Sequence, residues 1–111
     1  MKYFLIKYRL QNGSQEWTQE SWNREVAAFV AAIDGDPELK GRVTYRAMKA
    51  RDGADYYHLA GAVDEAAVAA LQSRPFFKEY TAKIRVAGGG TVDVVPLDVV
   101  AETARSSISD V

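Results

Sequence analysis

The chain has 111 residues, 48% apolar and 26% charged, with 14 Lys and Arg set against 15 Asp and Glu. That is enough for one core, and the balanced charge offers neither a basic field for nucleic acid nor an acidic tail. Without cysteine there is no disulfide, thiol catalysis or cysteine-bound metal, and one histidine among scattered carboxylates lacks ligand spacing, so neither metal nor cofactor is expected.

The opening stretch MKYFLIKYRL alternates with period two over residues 2–10, which predicts a strand. Phe4, Ile6, Tyr8 and Leu10 share one side, expected to pack on helices; Tyr3, Leu5, Lys7 and Arg9 share the other. Lys2, Lys7 and Arg9 interrupt the apolar run that a signal peptide would need, and no later run approaches a membrane span. A cytoplasmic protein with no membrane contact is the expectation.

Gln11 to Ser14 reads as a loop, with Ser14 or Thr18 available to cap a helix. Trp22, Val26, Phe29, Val30 and Ile33 form one stripe of that helix. Asp34-Gly35-Asp36-Pro37 should stop it, with Gly35 in a left-handed cap. Residues 42–51 predict a charged edge strand, and Asp52-Gly53 a hairpin leading to a strand over 55–63.

In that third strand Tyr57, Leu59, Gly61 and Val63 share one face, and Tyr56, His58, Ala60 and Ala62 the other. Asp64 caps an Ala-rich helix with Val68 and Leu71 inward, and Ser73-Arg74-Pro75 restarts it into Phe76, Phe77, Tyr80 and Ile84. Gly88-Gly89-Gly90 ends the helical half before a valine-rich strand over 91–100, where Pro96 favours an edge. Residues 1–103 are expected to form one domain and 104–111 a flexible tail.

The element order β-α-β-β-α-β predicts an α+β, ferredoxin-like fold with both helices on one face of an antiparallel sheet. The uncovered face is expected to carry Tyr3, Leu5, Tyr56, Ala60 and Ala62 with part of the last strand. So much apolar sheet surface predicts a homodimer through the sheet faces, with the chain after Pro96 reaching towards the partner.

The strand FLIKYRL, the segment YYHLAGAVDEAAVAAL, the run SRPFFKEY and the closing VDVVPLDVV together resemble the antibiotic-biosynthesis-monooxygenase type of dimeric α+β barrel, to about residue 103. The resemblance implies a small oxygenase needing neither metal nor flavin, acting on an electron-rich phenolic, polyketide-like substrate. It equally admits a non-catalytic dimeric barrel that binds a small molecule or serves in a stress response. Many members have a histidine just before the S-x-P segment, where this chain has Ala70. Haem-degrading members use an Asn, a Trp and a helix His; no Trp stands in the third strand and no His in the helix.

His58 is the one side chain whose ordinary pKa lies near neutrality, which makes it the candidate base for a phenolic proton. Tyr56 shares its face as a candidate to orient the substrate, and small Ala60 leaves room for a cavity. Tyr3, Leu5 and Lys7 are candidates to line an aromatic ligand's site, Lys7 for a phenolate, and Trp17 could cover the mouth. The competing reading makes His58 a satisfied histidine in a dimer interface, Trp17 a packing staple, and Lys7 a solvated strand end.

Overall fold

A computed structural model describes residues 1–11 and 17–104. Four strands and three helices follow in the order β1 (Lys2–Arg9), α1 (Gln19–Asp34), β2 (Val43–Lys49), β3 (Asp55–Ala62), α2 (Glu65–Gln72), α3 (Pro75–Ala87) and β4 (Asp93–Leu97). The sheet is antiparallel with order β2-β3-β1-β4, so β2 and β4 are the edges, as the charge of one and Pro96 of the other suggested. Ser14 and the tail beyond Ala104 lie outside the described residues. Among the described residues no helix is long and apolar enough to cross a membrane.

Local chemistry explains the helix ends. Thr18 caps α1 by accepting from the Ser21 amide, and the Ser21 hydroxyl returns to the Thr18 backbone. Asp64 caps α2 through the Ala67 amide, while Pro75 opens α3 at a position that needs no donor. Gly35 is right-handed at φ −83°, so α1 does not end in the expected left-handed cap; its N–H simply closes the last turn onto Ala31 and Ile33. Gly53, at φ +109°, takes the positive φ of the β2–β3 hairpin.

The core lies on the helix side of the sheet. Trp22, Phe29 and Ile33 of α1 meet Tyr80 and Ile84 of α3 over Tyr8, Val43 and Tyr56, all of them buried. Phe29 and Tyr80 stack at 3.8 Å, and Trp22 and Tyr80 at 6.2 Å. Two ion pairs pin α3 in place. Lys83 bonds Glu25 of α1, and Arg74 bonds Asp36 at 2.6 Å, which holds the Asp36 carboxyl below the usual carboxylate range.

The register overturns one expectation. Ile6 pairs with His58, Tyr8 with Tyr56 and Phe4 with Ala60, and directly opposed residues share a face. Tyr56, Ala60 and Ala62 therefore face the helices, not the uncovered side. The uncovered side carries Tyr3, Leu5 and Lys7 of β1, Tyr57, Leu59 and Gly61 of β3, Thr44, Arg46 and Met48 of β2, and Val95 and Leu97 of β4. The misassignment has a physical cause: on β3 Leu59 sits on the outer face and His58 on the core face, which inverts the simple hydropathy rule.

Candidate functional site

A cavity of about 310 Å³ opens between the sheet and the α2–α3 pair. Its walls are mostly apolar, with Phe4, Ile6, Ala60, Val68, Leu71 and Ile84 among them. Small side chains make the space: Ala60 and Ala62 on β3 leave a trough that the rings of Phe29 and Tyr80 do not fill. The polar lining is sparse and comprises Tyr45, Gln72, Tyr80, Thr81 and Arg85. Among the described residues Arg85 makes no ion pair.

Behind the two tyrosines stands His58, fully buried, and both of its ring nitrogens are engaged. The Tyr45 hydroxyl lies 2.7 Å from Nδ1 and the Tyr80 hydroxyl 3.3 Å from it. The Tyr8 hydroxyl lies 3.0 Å from Nε2 and accepts from Trp22 Nε1 at 2.7 Å. Tyr45 and Tyr80 are themselves 3.3 Å apart, oxygen to oxygen. Five side chains from β1, β2, β3, α1 and α3 thus meet in one polar network inside an apolar core.

Burial sets the charge state of this network. It pushes the His58 imidazole down to about 4, because a cation there would lose its hydration. The same desolvation raises the Tyr8, Tyr45 and Tyr80 hydroxyls well above their ordinary value. Every member is therefore neutral at pH 7, and the network can exchange hydrogen bonds without carrying charge.

The structure distributes the sequence candidates unevenly. Ala60 lines the cavity; His58 lies behind its wall and touches it only through Tyr45 and Tyr80. Tyr56 is buried, stacks on Tyr8 at 5.2 Å and donates to Asn23 at 2.6 Å, away from the cavity. It borders a second, polar cleft of about 430 Å³ together with Lys7, Arg9, Asp55, Tyr57 and Asp93. Tyr3 and Leu5 face the uncovered side of the sheet, and Trp17 packs edge-on against Trp22 at 5.2 Å. Tyr45, Tyr80 and Arg85 were not among the sequence candidates. The Tyr80 signal was its place on the same α3 stripe as Phe76, Phe77 and Ile84, which reads as ordinary core.

The chain matches no protein-family model and no curated protein. Solved structures do match. Rv0793 from Mycobacterium tuberculosis superposes with a TM-score of 0.72 at 12% identity, covering 93% of this chain and 98% of that one. SnoaB, a cofactor-independent oxygenase from Streptomyces nogalater, gives 0.69 at 16% identity over 91% and 94%. A dimeric ferredoxin-like protein of unknown function from Jannaschia sp. CCS1 gives 0.62 at 23% identity over 88% and 98%. At these identities the likeness shows the fold, and the fold is the ferredoxin-like α+β fold of the antibiotic biosynthesis monooxygenase-like proteins.

Proposed function

We propose that the chain is a cytoplasmic, homodimeric monooxygenase that needs no cofactor and oxidises a compact phenolic aromatic substrate in the helix-side cavity. One observation carries the reading: the apolar cavity of about 310 Å³ meets two phenol groups, Tyr45 and Tyr80, held from behind by His58. Its size falls at the lower end of small-molecule pockets, and its few convergent polar groups suit an aromatic ligand with one oxygen to place. The likeness to a cofactor-independent oxygenase supports the same chemistry.

The substrate's phenol ionises by giving its proton to solvent, and the resulting anion is favoured by the Arg85 guanidinium and by a tyrosine hydroxyl in the cavity wall. An electron-rich phenolate passes electrons to oxygen directly. One oxygen atom then bonds to the ring carbon and the O–O bond breaks. The second oxygen leaves as water with the phenolic and ring hydrogens, giving a quinone. His58 acts in this scheme through Tyr45 and Tyr80, which it positions, and not on the substrate itself.

The uncovered sheet face is the proposed dimer interface. Met48, Tyr57, Val95 and Leu97 are exposed there, beside half-buried Tyr3, Leu5 and Leu59. The dimeric neighbour from Jannaschia supports that assembly. Sedimentation should return twice 12.2 kDa, that is 24.4 kDa, and a 12 kDa particle at micromolar concentration would refute it.

The function is tested by incubating purified, chelator-treated protein with hydroxylated naphthalenes under ¹⁸O₂. A quinone carrying one labelled oxygen atom per turnover is expected. Binding of these phenols with no oxygen uptake would favour the second reading, a non-catalytic small-molecule-binding barrel. That reading draws on His58, whose basicity near 4 leaves the network without a group that titrates near neutrality.

A further inference from the structure

We infer that the network is a one-way hydrogen-bond chain, running from Trp22 to Tyr80, which presents the Tyr80 hydroxyl proton to an acceptor oxygen of the cavity's ligand. Tyr80 is then the residue that selects a carbonyl or oxyanion, and Trp22, Tyr8, His58 and Tyr45 are positioning residues. The inference rests on the cavity being the ligand site proposed above.

Counting protons leads to this direction. Trp22 Nε1–H, the hydroxyls of Tyr8, Tyr45 and Tyr80, and one imidazole N–H of neutral His58 make five. The links between successive groups are Trp22–Tyr8, Tyr8–His58, His58–Tyr45 and Tyr45–Tyr80, which makes four. The longer contact of Tyr80 with the same Nδ1, at 3.3 Å against 2.7 Å for Tyr45, shares that one nitrogen site and adds no further donor or acceptor. One proton is therefore left over, and the histidine tautomer decides where.

With the proton on Nε2, the imidazole donates to the Tyr8 oxygen, which already accepts from Trp22. The Tyr8 proton then has no acceptor among the described residues. Although Tyr8 borders the polar cleft, its hydroxyl is turned inward between Trp22 and His58, both fully buried. A donor stranded there is costly.

With the proton on Nδ1, every group donates once in the same sense. Trp22 donates to Tyr8, Tyr8 to Nε2, Nδ1–H to Tyr45, and Tyr45 to Tyr80. The surplus proton then belongs to the tyrosine pair, both of which line the cavity. Tyr45 takes the shorter contact to Nδ1 and passes its own proton on, which leaves the surplus on Tyr80, where a ligand or solvent oxygen can take it. Trp22 cannot accept, so the far end of the chain is fixed. The longest link, Tyr45 to Tyr80 at 3.3 Å, is the one that a ligand oxygen drawing on Tyr80 would polarise and strengthen.

The chain has one histidine, so the test is free of overlap. In ¹⁵N-histidine-labelled protein at pH 7, the expected spectrum shows a protonated, pyrrole-like Nδ1 and an unprotonated, pyridine-like Nε2. The reverse assignment overturns the inference, and this readout requires no ligand or activity. The second arm compares 1-tetralone with tetralin, the same skeleton without its oxygen. Wild type should bind the ketone about tenfold more tightly, and Tyr80→Phe, which keeps the ring, should abolish the difference. Equal affinities in wild type overturn the donor role. Failure of both compounds to bind overturns the cavity reading and the donor role with it, even where the Nδ1–H tautomer is found.

Discussion

On the helix side of the sheet, Tyr8, Tyr56 and His58 sit under Trp22 and Tyr80 with their polar atoms paired, and a cavity opens beside them. On the other side, Met48, Tyr57, Val95 and Leu97 are exposed with no helix above them. The first face is polar where it is deepest, the second apolar where it is open. Polar groups buried with partners mark a place built for chemistry or recognition, whereas an apolar face left open marks a place built for another surface. The contrast can be broken or sharpened by changing one face at a time.

The largest expected effect is at Trp22, which is fully buried, stacks with Tyr80 and donates to Tyr8. Trp22→Ala should cost about 3–5 kcal/mol of stability by denaturant titration, whereas Met48→Ala on the open face should change it by about 0.5 kcal/mol or less when both are measured at a dilution that dissociates the dimer. Similar losses at the two sites would erase the contrast.

Next comes acid. The folded imidazole of His58 lies at about 4, below its unfolded value of about 6.5, so the unfolded chain binds the proton more readily in between. Stability is therefore intact above about pH 6.5 and falls as pH drops towards 4, by about 3 kcal/mol in all. His58→Gln should flatten the slope between pH 6.5 and 5; an unchanged slope there would show that the histidine is not held neutral.

Much of the fold was legible in the sequence, because strong periodicities carried it. The stripe Trp22, Val26, Phe29 and Ile33 marked α1, Asp64 and Pro75 marked the starts of α2 and α3, and Gly53 marked the hairpin. The phase of β3 was not legible. Hydropathy sends Leu59 inward and His58 outward, and only the pairing of Ile6 with His58 reverses them. Tyr80 escaped notice because an aromatic residue on an apolar helical stripe looks the same whether its hydroxyl is idle or bonded. The partners that give it meaning, Tyr45 and His58, are 35 and 22 residues away in the chain.

Smaller effects refine the helix-side account. Tyr45→Phe removes the closest partner of His58 Nδ1 and should cost about 1–3 kcal/mol, while raising the exposure of the imidazole to exchange. Thr18→Ala removes the cap that starts α1 above the network and should cost about 1 kcal/mol in thermal or chemical unfolding. No loss at Thr18 would mean that packing of Trp22 alone holds the helix start.

The central claim is that ligands enter the helix-side cavity and that the open face serves assembly. Methyl-labelled protein titrated with 1-naphthol tests it directly, because the two faces carry separate sets of methyl groups. Shifts at Val68, Leu71 and Ile84, with Leu5, Leu59 and Leu97 unmoved, are the predicted result. Shifts confined to Leu5, Leu59 and Leu97 would contradict it and place the ligand on the open face.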